Sequence, residues 1–193
     1  MHKPMKKLLL GAAMLLFAQV GFGQAVADQA VIPVSVTLNS ILRLTVTSGG
    51  NIQFVVNTID EYTNGIGNST RYTTAFTVAS SRDFDVLLNS ETADLVGTDN
   101  AANTIPADFV GYAVPDTGNG ATFNADAGSE QGLTLAQFTI VDASPAGDVV
   151  ANAFTIEWRL GTAEGTMNAA TLLSQSFPAD NYVTNVFLVV QPD

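Results

Sequence analysis

The chain has 193 residues, no Cys and a formal net charge of −11. The missing Cys excludes disulfides and thiol chemistry, and the acidic balance disfavours nucleic acid and anionic membrane surfaces as partners. The length suits one domain whose core needs no disulfide.

The chain opens Met-His-Lys-Pro-Met-Lys-Lys, followed by uncharged, apolar residues from Leu8 to Val20. A basic stretch before an apolar one of this length reads as a secretory signal peptide. It is shorter than the roughly 20 residues of a membrane span, so no membrane insertion is expected. Small residues precede both Gln24 and Asp28, and cleavage before Gln24 is preferred, giving a signal peptide over 1–23. No Cys follows for lipid attachment. Cleavage removes every Lys and the single His, leaving Arg43, Arg71, Arg82 and Arg159 against 18 acids, a net charge of −14. Without His, Cys or Lys the remainder cannot build a Ser-His-Asp triad, a Schiff base or a Cys/His zinc site. The expectation is a protein that is not an enzyme.

Residues 30–47 alternate. Ile32, Val34, Val36, Leu38, Leu42, Leu44 and Val46 share one phase, and the other phase is polar except for Ile41. Period two places them on one face of an extended strand. The run is too long for one strand of a small domain. A break at Asn39-Ser40 gives two strands in tandem: an extension over 24–39 and a domain over 40–193. Whether the first half pairs within its own domain or outside it stays open.

Further strands are expected over 52–56, 71–79 (Tyr72, Thr74, Phe76 and Val78 on one face), 84–88, 109–114, 133–141, 153–160 and 182–190. The 133–141 strand slips phase near Ala136, as a bulge would. Residues 57–70, 89–106 and 115–132 read as loops, 142–148 as a turn around Pro145, and 161–178 as holding one or two helical turns. Phe154, Ile156, Trp158 and Leu160 should point inward, with Glu157 and Arg159 outward as cross-strand partners. About eight short strands without a long helix make an all-β antiparallel β-sandwich of immunoglobulin type.

Chemistry is sparse. Asp83 and Asp85 share the outward face of one strand, which reads as a solvated face rather than a carboxylate pair. Asp116, Asn119, Asn124, Asp126 and Glu130 offer oxygen ligands for calcium, but Asp, Asn and Gly are also ordinary turn formers. No other cofactor is expected. Trp158 is in phase with the core, against a sugar-stacking role.

The leader, the alternating segment and the closing run from Pro178 through Tyr182 to Val190 resemble the fimbrial (pilin) subunits of the chaperone–usher type and the related spore-coat-U-like secreted domains. The resemblance implies an incomplete immunoglobulin-like sandwich that receives a neighbour's N-terminal extension as its missing strand. Ile32, Val34, Val36 and Leu38 would then form the donor-strand interface. Partners would be other copies in a filament, a periplasmic chaperone and an outer-membrane usher, at the cell surface. Many such pilins carry a disulfide, and this chain has none. The competing reading is a monomeric secreted binding module, for carbohydrate or another surface ligand, using the loops at 57–70 and 115–132.

Overall fold

A computed structural model describes residues 32–193. The signal-peptide reading of 1–23 and extension residues 24–31 lie outside them. The chain divides between Leu38 and Asn39, and the two parts are taken separately.

From Asn39 onward the chain is built from antiparallel strands. In order they are β1 (Leu42–Ser48), β2 (Thr73–Ser80), β3 (Phe84–Ser90), β4 (Asp94–Gly97), β5 (Thr104–Pro106) and β6 (Val110–Ala113). Then come β7 (Thr122–Phe123), β8 (Gln131–Gly132), β9 (Phe138–Ser144), β10 (Ala153–Leu160), β11 (Tyr182–Val183) and β12 (Val186–Pro192). Two short helices, α1 (Ile59–Asn64) and α2 (Leu172–Gln175), sit in the connections. The sheets run β1-β2-β10-β6-β8, β12-β3-β9-β7 and β11-β4-β5.

The first two sheets share one core in a sandwich-like arrangement. Period-two alternation puts Phe76 and Val78 of β2, and Phe154, Ile156 and Trp158 of β10, on one inner face, and Val86 and Leu88 of β3 belong to the same core from the other sheet. The Phe154 ring stacks on Phe76 at 5.2 Å and meets Phe84 and Phe123 at 6.5 and 6.1 Å between centroids. Trp158 is buried, and its Nε1–H donates to Thr74 Oγ1 at 2.9 Å.

Register defines two poles. At the proximal pole Leu42 opposes Ser80, Ser80 bridges Gly147, and Pro192 opposes Phe84. At the distal pole lie the end of β1 at Ser48, the start of β2, the end of β10 and the start of β12 opposite Ser90. Both helices belong to distal connections. The β2–β3 and β9–β10 turns are proximal.

Several expectations need correction. Residues 52–56 are extended but join no ladder; Ile52 and Phe54 still pack on the core, and Phe54 stacks on Tyr72 at 4.5 Å. The expected loop at 57–70 contains α1, started by a capping box in which Thr58 accepts from Glu61 N–H and Glu61 accepts from the Asn57 and Thr58 N–H groups. The expected connection at 89–106 holds the β4–β5 hairpin, and β7 and β8 lie in the expected loop at 115–132. The β9 irregularities oppose Phe84–Leu87, not Ala136, which precedes the strand. There are twelve short strands among the described residues, not about eight.

Arg159 is also not outward. The 161–168 loop folds over it, leaving it buried, with Nη1 3.0 Å from Glu130 Oε1 and also paired to Glu164. Glu157 has no cross-strand ion pair; it accepts from the Asn68 amide.

Phe154 makes three ring contacts, two of them to the opposite sheet, so Phe154→Ala should cost about 3–5 kcal/mol. Urea unfolding followed by Trp158 fluorescence measures it.

Candidate functional site

The described part of the extension is simple. Residues 32–38 belong to no strand or helix. Ile32, Val34, Val36 and Leu38 are between 77% and 89% exposed. In an extended backbone these four would stand on one side at period two, an apolar comb open to water.

The domain carries a matching deficiency. Among the described residues β1 and β12 are edge strands of the two main sheets, with β2 and β3 as their respective sole ladder partners. They approach each other without pairing. Leu44, Leu188 and Val190 pack against the core, and parity puts Leu42, Val46 and Val186 on the same inner faces. None of these six is buried, and Leu42, Val46 and Val186 are exposed. By contrast, Phe76, Val78, Phe84 and Val86 on the adjoining strands are wholly buried. The core therefore thins toward this one edge. On the outer face of β12, Phe187 and Val189 are exposed too. A free strand edge with apolar residues on both faces is normally blunted in a soluble domain. Here β12 runs seven residues without a charge, with only Asp193 beside it.

The structure does not gather the calcium candidates. The Asp116 N–H donates to Asp126 Oδ1, and Asp116 Oδ1 in turn accepts from Gly118 N–H at 2.7 Å. The Asn119 amide donates to Ser144 Oγ and Asn152 Oδ1, and the Asn124 amide donates to Thr139 O. Glu130 is held by Arg159. Among the described residues no three His, Cys, Asp or Glu side chains are grouped to hold a metal ion. No described helix is long and apolar enough to cross a membrane.

Asp83 is exposed and Asp85 half-buried, and both also anchor backbone. Asp83 Oδ1 accepts from Ala146 N–H at 2.9 Å and Asp85 Oδ1 from Ala143 N–H at 3.0 Å. They fix β9 where it bulges, at Ala143 with φ of 50°.

Other carboxylates do the same for loops. Asp180 accepts from the Asp99, Asn100 and Asn181 N–H groups and the Asn103 amide, tying the approach to β11 onto the β4–β5 hairpin. Asp148 accepts from the N–H groups of Ala151 and Val150. These donors hold the Asp180 and Asp148 carboxyls below their ordinary range, and the Asn57 and Thr58 N–H groups do so for Glu61. Burial pushes Glu130 up, but the Gly128 N–H, its own N–H and Arg159 outweigh it and hold it down.

No protein-family model and no curated protein matches the chain.

A carboxyl held low in the folded state contributes stability above its unfolded value and loses it as acid protonates the folded form. Glu61, Glu130, Asp148 and Asp180 all act in this direction. The urea midpoint should therefore be nearly flat from neutral to about pH 5 and fall below about pH 4. Asp180→Asn should flatten part of that slope.

Proposed function

We propose that the protein is a structural subunit of an extracellular filament, assembled by strand exchange between copies. One observation carries this reading: a domain edge whose six inner-facing aliphatics are half-buried or exposed, in a chain that also exposes four apolar side chains at alternate positions.

The strand order supports the reading. β1, β2, β10 and β6 lie in one sheet and β12, β3 and β9 in the other, an all-β arrangement in keeping with the reading of an immunoglobulin-like sandwich that stops one strand short. The missing strand would follow β12 and lie beside β1. The segment that fills it comes from the residues before β1 of another copy.

Its backbone adds to the unpaired side of β12, and Ile32, Val34, Val36 and Leu38 cover the thin edge of the core. Burying four such side chains stabilises by roughly 1.5–3 kcal/mol each, set against the ordering of the segment. A filament subunit needs no catalytic group, in keeping with a chain that lacks His, Cys and Lys after its leader. Export by the leader places the filament outside the cell, with a chaperone guarding the open edge before assembly.

The secreted protein should form ladders of oligomers in size-exclusion chromatography and filaments by negative stain. Deleting 24–39 should give monomers. A synthetic peptide of residues 28–40 should bind those monomers and raise their melting temperature, whereas the peptide with Val34→Asp and Val36→Asp should do neither. Assemblies unchanged by the deletion would sink the reading.

A further inference from the structure

The distal pole carries a depression of about 300 Å³ between α1 and α2, lined by Ile59, Tyr62, Leu172, Leu173, Ser176 and Phe177. Its rim is apolar, with Ile59 and Leu173 exposed. The proximal pole carries the converse feature. The β9–β10 turn presents Val149 and Val150, the latter 82% exposed. This tip is held firmly. Asp148 Oδ1 accepts from the Val150 and Ala151 N–H groups at 3.0 Å, and the buried Asn152 donates through its amide to Pro145 O at 3.2 Å. Two valines are thus fixed outward on a turn that contributes nothing apolar to its own core.

Chain direction brings these features together. β12 runs from the distal to the proximal pole. Every strand pair in the domain's ladders is antiparallel. A strand added to β12 in the same sense ends at the distal pole of the receiving copy. Only residues 39–41 separate Leu38 from β1, which starts at the proximal pole of the donating copy. Four Cα steps reach no more than about 15 Å, so the proximal pole of one copy is held against the distal pole of the next.

We propose that the Val149–Val150 tip of one copy seats in the α1–α2 depression of its neighbour, a second, head-to-tail contact that sets the angle between successive subunits. The inference rests on the strand-exchange reading. The contact is heterologous, so it repeats from copy to copy and builds an open filament when the rotation between copies does not close a ring. An apolar tip and an apolar hollow, each left open by the described residues of its own chain, are covered in the same step.

The absence of native Cys gives a clean test, because a disulfide forms only where Cα atoms come within about 7 Å. Filaments of the full-length secreted protein carrying Val150→Cys with Leu173→Cys should oxidise to a covalent ladder that collapses on reduction. Either single variant, or Val150→Cys with Thr45→Cys on the side of β1, should give none. Val150→Asp should still assemble, since the comb is intact, but its filaments should bend more by electron microscopy. Filaments that assemble yet yield no ladder, or a ladder equal to the Thr45→Cys control, overturn the tip contact and leave strand exchange standing. Failure of the unaltered protein to assemble overturns both.

Discussion

A two-sheet core closes only if each inward side chain has a neighbour on every side. Between β1 and β12 that condition fails. Both strands have one ladder partner, and their inner residues Leu42, Leu44, Val46, Val186, Leu188 and Val190 stay partly open to water. One strand inward, the core is dry, with Phe76, Val86 and Phe84 fully covered. The packing is thus graded across the domain, and the gradient points at one edge. Any account of the molecule's work must say what covers that edge, because water is a poor neighbour for six aliphatic side chains.

The rest of the domain solves a different problem, which is ordering long connections without a disulfide. Carboxylates supply the ties. Asp180 gathers the amides of one hairpin, Asp83 and Asp85 hold the bulged β9, Asp148 folds the β9–β10 turn, and Glu130 with Glu164 pins a loop onto Arg159. The acidity of the chain therefore has internal uses beyond solubility. Loop order and surface charge come from the same residues.

Legibility followed burial. β10 was readable to the residue, because Phe154, Ile156 and Trp158 face a dry core and the intervening side chains do not. β2 and β3 were readable for the same reason. Arg159 broke the alternation rule because a later loop, around Gly161 to Met167, covers the face that parity assigns to solvent, and pairwise spacing does not encode that. The β4–β5 hairpin lies beside the main core and is short, so it left little periodic signal. The start of α1 did leave a signal, Thr58 followed three residues later by Glu61, and that capping pattern was there to be found. Of the candidate site, the comb at 32–38 was visible as bare alternation. The thin edge was not, since Leu42 and Val186 look like any strand residues until topology leaves their strands without outer partners.

The β1–β2 register has a mechanical meaning. Leu42 through Val46 pair in continuous antiparallel order with Ser80 through Phe76, and the chain reaches β1 from its Leu42 end. Tension applied at Asn39 pulls along the axis of β1, so the ladder is loaded in shear. Its hydrogen bonds share the force and must yield together, rather than peel one after another. Resistance to such a pull is set by the unfolding rate rather than by equilibrium stability.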